Sequence, residues 1–320
     1  MCTALTYKNK YFGRNLDIDC EYGENVIFTP RNFSIDFREN IEMKNHYAIL
    51  GMAKVKDDYP LYFDAINEKG VGMAGLSFHV GLKYHEMMDG KDNIAPFEFI
   101  PWVLGQCGNI DEVKKLLEKI NIIDLNFSKD LPNSPLHWFI ADCENSITVE
   151  STKEGLIVYD NPVGVLTNDP EFKMQMFNLN NYLNLTAESA ENRFSDKIRL
   201  ETYAKGMGAI GLPGDLSSMS RFIKATFTKL NSDSDEELDL SQFFYILESV
   251  FQPKGCVKTK SGKYEITEYS SCCDLRKGIY YYKTYGNCGI SAIDMKKENL
   301  DGFELKSYEL RKKQSIYYQN

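Results

Sequence analysis

The chain has 320 residues, 43% of them hydrophobic and 26% charged, an ordinary globular balance with length enough to bury a substantial core. Its 37 basic and 46 acidic residues leave a net charge of −9, which argues against a nucleic-acid-binding protein with its basic face and demands a locally positive site for any anionic substrate. No apolar run is long enough to span a bilayer, and no basic segment followed by an apolar one marks a secretory signal.

The eight cysteines (Cys2, Cys20, Cys107, Cys143, Cys256, Cys272, Cys273 and Cys288) contain no C-x-x-C pair. The vicinal pair Cys272-Cys273 is a poor start for a disulfide framework, so a reducing cytoplasm is the expected location. His46, His79, His85 and His137 lack metal-ligand spacing, and no metal is expected.

The chain opens Met1-Cys2-Thr3. Removal of Met1 would leave a thiol and a free α-amine on one residue, with reference pKa values of about 8.5 and about 8. An amine beside a nucleophile can act as its general base; a small residue behind an initiator is the plain alternative. Residues 2–7 and 11–16 predict two strands around the turn Lys8-Asn9-Lys10. If they pair, Arg14 and Asp17 come near the chain start, where a guanidinium favours thiolate. An ordinary Arg–Asp ion pair at a strand end fits the same spacing.

Val26–Thr29 is a β-rich run stopped by Pro30, and Tyr47–Ala53 suits a buried strand. Leu61–Ile66 and Val71–Phe78 flank the turn Asn67-Glu68-Lys69-Gly70 and predict a hairpin. Gly70, Gly72 and Gly75 point to close approach of another backbone or a ligand. Ala95-Pro96 predicts a helix through Trp102 and Leu104. Asn109–Glu112 opens a second over Val113–Ile120, with Val113, Leu116, Leu117 and Ile120 on one face. Leu136–Ala141, Ser146–Glu150, Leu156–Tyr159 and Gly164–Leu166 read as a β meander, followed by a helical or irregular stretch over about 170–205.

Gly206-Met207-Gly208-Ala209-Ile210-Gly211 has G-x-G-x-x-G spacing, but Leu212-Pro213-Gly214-Asp215 follows instead of a helix. A glycine-rich loop at a pocket mouth is the better reading than a dinucleotide site. Ser217-Ser218 can cap a helix bearing Arg221 and Phe222. Asp239-Leu240-Ser241 opens another through Phe251. Strands are expected again at Tyr264–Tyr269, Ile279–Tyr285, Ile290–Met295 and Phe303–Tyr308. Blocks of hairpin-joined strands between blocks of helices predict an α+β fold, two antiparallel sheets between helical layers. No linker or composition break divides residues 1–320, so one domain is expected.

Asn168, at a strand end before Pro170, is either a turn residue or an amide donor for an oxyanion hole. Arg221 reads alone as a surface arginine. The 19 Phe and 20 Tyr are mostly core, but Tyr59, Tyr62, Phe63, Phe78 and Phe127 fall in loop-like segments suited to a large apolar ligand.

Taken together, Met1-Cys2-Thr3, Phe12–Asp17, Asn67–Gly70 with Met73–Leu76, Gly164–Asn168, Gly211–Asp215 with Ser220-Arg221-Phe222, and Lys277–Tyr282 resemble the choloylglycine hydrolase family. Its members are the bile salt hydrolases and the penicillin V acylases. The likeness runs in family order over nearly the whole chain.

The resemblance implies a four-layer αββα N-terminal nucleophile hydrolase fold and a mature chain beginning at Cys2, without a pro-segment. Cys2 would be the nucleophile, with its own amine as base and then acid. Arg14 and Asp17 would tune and position it, Asn168 would donate to the oxyanion, and Arg221 would complete the polar network. The implied reaction is amide hydrolysis through a thioester, without a metal or organic cofactor. The implied substrate is an anionic, amphipathic conjugated bile acid, and the implied assembly is a homotetramer. The positions equivalent to the family's steroid-binding loops fall near Leu16, Tyr22, Phe63, Phe127, Leu131 and Leu136, apolar or aromatic residues that core packing would equally explain.

One departure stands out. Ser77 occupies the place after Ala74-Gly75-Leu76 where bile salt hydrolases carry Asn and penicillin V acylases Tyr. Bile salt hydrolysis is the expected activity; penicillin V or other N-acyl amide hydrolysis, and a non-catalytic relative that keeps the apolar pocket, are the alternatives.

Overall fold

A computed structural model describes residues 1–39 and 41–320. Cys2–Tyr7 (β1) and Tyr11–Ile18 (β2) form the expected hairpin, with Cys2 opposite Leu16 and Ala4 opposite Arg14. Asn25–Thr29 (β3), Ile35–Phe37 (β4), Ile41–Met43 (β5), Ile49–Lys56 (β6), Tyr59–Asn67 (β7) and Gly72–Ser77 (β8) follow. Asp92–Ile94 (β9) leads to the helices Phe99–Gln106 (α1) and Ile110–Leu117 (α2), then Ile120–Ile122 (β10). Next come Leu136–Ala141 (β11), Ser146–Thr152 (β12), Gly155–Asp160 (β13) and Val165–Leu166 (β14). The helices Phe172–Asn178 (α3), Ser218–Asn231 (α4) and Asp239–Glu248 (α5) precede the last strands. These are Val257–Lys258 (β15), Tyr264–Asp274 (β16), Ile279–Thr284 (β17), Asn287–Asp294 (β18) and Lys306–Tyr308 (β19).

One sheet runs β14-β1-β2-β16-β17-β18, and the other β13-β12-β11-β8-β7-β6-β3-β19. Every pairing within these two sheets is antiparallel. Helices α4 and α5 cover the outer face of the first sheet, and α1 covers β6, β7 and β8 of the second. This is the αββα order. Phe12, Leu50, Ile66 and Phe139 fill the space between the sheets, continuous with Phe222 and Phe243 below α4 and α5. A second core packs Phe99 and Val103 of α1 onto Met73 and Trp138.

Gly72 bears out the close approach expected of its strand. A Cβ there would lie 2.7 Å from the Phe12 ring of the facing sheet. Tyr59, Tyr62 and Phe63 belong to β7 rather than to loops.

Several expected boundaries move. Helix α1 starts at Phe99, because Glu98 turns back to accept the Ala95 amide at 2.8 Å. Asn109 caps α2 through the Glu112 amide, but Ile120 leaves the helix for β10. Residues 164–166 do not extend the meander. Asn161 donates to the Val165 carbonyl and accepts from the Gly164 amide, and Gly164 takes φ +57°. That turn carries β14 over to pair with β1 in the other sheet. Ser217 makes no side-chain cap on α4. The 206–211 glycines lie in a short turn in which Gly208 packs on Thr186 and Glu188, and none lines the cleft at Cys2.

Candidate active site

Period-two alternation along β2 places Arg14 and Leu16 toward the facing sheet, and Asn15 and Asp17 toward the helices. Asn15 accordingly donates to the Leu247 carbonyl of α5. Cys2 pairs with Leu16, so its thiol also faces between the sheets.

There the β7–β8 ladder ends at Asp64 opposite Ala74, and Phe63 is the extra residue of a bulge against β6. The Arg14 guanidinium fills the gap. Its Nη1 donates to the Gly75 carbonyl at 2.6 Å and the Phe63 carbonyl at 3.1 Å, and its Nη2 reaches Cys2 Sγ at 2.5 Å. A guanidinium in contact with sulfur favours thiolate. Burial pulls the Arg14 pKa down, but the nearby Cys2, Tyr269, Asp64 and Asp17 outweigh it and hold it above its ordinary value.

On the other side of Cys2, Asn168 Oδ1 accepts from the Cys2 nitrogen at 2.8 Å and from Arg221 Nη2 at 2.7 Å. Arg221, in the first turn of α4, is fully buried rather than on the surface. Its Nη1 donates to the Cys2 carbonyl and to Thr3 Oγ1, and its Nε to the Leu216 carbonyl. Burial lowers the Arg221 pKa against the attraction of Asp17 and Cys2.

Asp17 accepts from Thr267 Oγ1 at 2.6 Å and Gln252 Nε2 at 3.2 Å, and lies 3.9 Å from Arg221. Burial pushes its carboxyl up, opposed by Arg221 and the terminal amine. Met1 donates to the Asp17 carbonyl and accepts from the Asp17 amide. The Cys2 nitrogen is therefore an amide here, and loss of Met1 would turn it into an amine in the same place.

Cys2, Arg14 and Ser77 line an apolar cleft, while Asp17, Asn168 and Arg221 stand behind Cys2. Asn168 Nδ2 donates to the Ser77 carbonyl, which uses one of its two hydrogens. Leu16, Tyr22, Phe63, Phe127, Leu131 and Leu136 all lie on the cleft wall. Leu61, Phe97 and Ile100, which the sequence pattern does not single out, share it. The cleft's volume of about 170 Å³ is below the roughly 300–1,000 Å³ of a pocket that engulfs a drug-sized ligand. A large ligand would extend through the open mouth.

Asp64 and His137 are among the buried polar groups that the sequence pattern does not single out. Asp64 accepts from Tyr269 Oη at 2.5 Å, Tyr280 Oη at 2.7 Å and Ser271 Oγ at 2.8 Å. A carboxylate inside the apolar run Tyr62-Phe63-Asp64-Ala65-Ile66 was its signal. His137 stacks on Phe78 and bridges Glu150 Oε1 at 3.2 Å to the Thr167 carbonyl at 3.0 Å, bracing the residues next to Ser77 and Asn168.

A family model described as linear amide C–N hydrolases, choloylglycine hydrolase family, matches residues 2–308. A bile salt hydrolase/transferase of Lactiplantibacillus plantarum is 53% identical, with all of both chains covered. A crystal structure of a conjugated bile acid hydrolase variant from Clostridium perfringens superposes with TM-score 0.93 at 43% identity, again over all of both chains. A penicillin V acylase from Agrobacterium tumefaciens shares the fold, with TM-score 0.74 at 18% identity over 96% of this chain and 90% of that one. The N-terminal nucleophile fold with its two stacked sheets is therefore that of these amide hydrolases, and the chain belongs to the choloylglycine hydrolase family.

Proposed function

We propose that this protein is a bile salt hydrolase, which cleaves the amide of glycine- or taurine-conjugated bile acids, with Cys2 as nucleophile. The names of its full-length relatives support the substrate class. The observation that carries the chemistry is the Arg14 guanidinium on the Cys2 sulfur at the base of an apolar cleft.

In this reading Met1 is removed. The freed Cys2 amine takes the thiol proton, and Sγ attacks the amide carbon. The oxyanion is stabilised by the second Asn168 amide hydrogen and by backbone N–H at Ser77. The Cys2 ammonium returns its proton to the departing amine as the C–N bond breaks, leaving a thioester. Water, deprotonated by the same amine, then attacks the thioester and releases the bile acid and the thiol. Arg14 favours thiolate. Asp17 and Arg221 hold the amine and the Cys2 backbone in place. The cleft residues Leu16, Tyr22, Phe63, Phe127, Leu131 and Leu136 receive the steroid. Action as one domain, in a cytoplasmic homotetramer, without metal or organic cofactor, completes the proposal. Among the described residues no helix is long and apolar enough to cross a membrane.

The test is turnover of glycocholate, taurocholate and penicillin V on one preparation, with Met1 removal checked by intact mass. The expected result is hydrolysis of the bile salts well above penicillin V, abolished in a folded Cys2→Ala variant. Bile-salt turnover that survives Cys2→Ala removes the nucleophile, and preference for penicillin V removes the substrate.

A further inference from the structure

We propose that Asp64 is a positioning residue for Cys2: it is the buried negative charge behind Arg14 that closes a neutral cage of four charges around the nucleophile. The proposal rests on the reading of Cys2 as the reacting residue.

Asp64 sits on β7, and its donors Tyr269, Ser271 and Tyr280 come from β16 and β17 of the facing sheet. Three hydroxyl donors and a nearby guanidinium favour the ionised carboxylate. Burial holds the Asp64 carboxyl above its ordinary value, with Arg14 and the three hydroxyls opposing that rise. Arg14 itself has carbonyl acceptors at Phe63 and Gly75, so Asp64 is not needed to anchor it. What Asp64 adds is charge.

Arg14, Arg221, Asp17 and Asp64 are each fully buried. Two cations and two anions give the cage no net charge. Cys2 shuttles one proton between thiol and amine, and neither arrangement changes that total. Without Asp64 the cage would be a unit more positive in a medium of low effective dielectric. Thiolate would then be favoured at lower pH. The amine would hold less firmly the proton it must deliver to the leaving nitrogen.

The groups facing Cys2 are Arg14, Arg221, Tyr22 and the terminal amine, with Asp17 beyond Arg221 and the amine. Those facing Asp64 are Arg14, Tyr269, Tyr280, Ser271 and Cys273. Burial pushes the Tyr269, Tyr280 and Cys273 groups well above their ordinary values, so none of them titrates in the working range and confounds the readout.

The test is the pH dependence of Cys2 alkylation by iodoacetamide in the Met1-processed enzyme, located by peptide mass spectrometry. In Asp64→Asn the midpoint is expected to fall by about one pH unit, a tenfold faster reaction below it. The acid limb of kcat/KM should move with it. A folded Asp64→Asn with an unchanged midpoint overturns the proposal, since a merely structural loss would lower activity without moving the titration.

If Asp64→Asn does not fold, Arg14→Gln and the double variant decide. Removing Asp64 alone strands the Arg14 charge, so the double variant, which removes both charges together, should recover a cooperative fold. A double variant that also fails to fold while Arg14→Gln folds overturns the proposal. Alkylation is read without bile salt, so failure of the substrate reading leaves this result standing, whereas hydrolysis by Cys2→Ala would strike the nucleophile reading instead.

Discussion

The Asn168 side-chain nitrogen donates to the Ser77 carbonyl oxygen at 2.8 Å, which ties the end of β8 in one sheet to the turn after β14 in the other. The Asn168 side-chain oxygen meanwhile accepts from Cys2 and Arg221. One amide side chain thus sets the distance between Cys2 and the opposite wall. Asn168→Ala is expected to lower kcat about 10²–10³-fold, the scale of a lost oxyanion donor, with KM little changed. Asn168→Asp keeps the acceptor and loses the donor, so it should fall as far. Steady-state kinetics on glycocholate check both, and full activity in Asn168→Asp would show that the donor is dispensable.

Ser77 contributes its backbone to that contact and only its side chain to the departure from the family pattern. Ser77→Ala is therefore expected to keep kcat within about twofold, because no hydrogen bond to Asn168 is lost. Ser77→Asn adds a second amide beside Asn168 and should raise kcat. A steep loss in Ser77→Ala would mean that the hydroxyl itself takes part in the reaction.

Gly13 lies one residue before Arg14, and a Cβ there would stand 2.1 Å from the Ser271 carbonyl oxygen and 2.9 Å from Cys272 Cα. Both are backbone atoms of the adjacent strand and cannot swing away. Gly13→Ala is expected to destabilise the fold by about 1–3 kcal/mol or more through overpacking. Chemical denaturation measures it, and a midpoint equal to the parent's would contradict the packing.

Lys229 of α4 donates to Thr6 Oγ1 at 3.1 Å, the Val163 carbonyl at 2.6 Å and the Gly164 carbonyl at 3.2 Å. It makes no ion pair among the described residues. Burial pulls its ammonium down to about 8, against about 10.4 in an unfolded chain. Between those values the unfolded state binds the additional proton, so stability rises with pH through that window and is lost as pH falls through about 8. Thermal unfolding of the parent should therefore gain on Lys229→Met from about pH 8 to about pH 10. Parallel curves would show that the lysine titrates normally.

Much of this organisation is legible along the chain. Residues 2–7 and 11–16 announce a hairpin because strand periodicity and a polar turn are local properties, and the hairpin brings Arg14 and Asp17 to Cys2. The Gly72 contact with Phe12 was signalled by glycine inside an apolar strand. The 164–166 segment was misplaced because a two-residue strand has the same pattern in either sheet, and only the Asn161 turn decides which sheet it joins. Arg221 gave no sign of burial, since an arginine in an amphipathic helix normally points to water.

By itself the sequence determined the strand and helix blocks, the α+β class and the hairpin at Cys2, and through family likeness the αββα order and the residues carried over. These rest on neighbours in the chain and on motif order. Only the tertiary structure decided that Arg14 plugs the open end of the β7–β8 ladder, that Asn168 bridges Cys2 to Ser77, and that Asp64 takes three hydroxyl donors from the facing sheet. Each of those contacts joins strands or turns far apart in sequence. Their geometry depends on which backbone carbonyls the sheets leave unpaired and on which charges burial forces together, and a linear pattern of residue types carries neither.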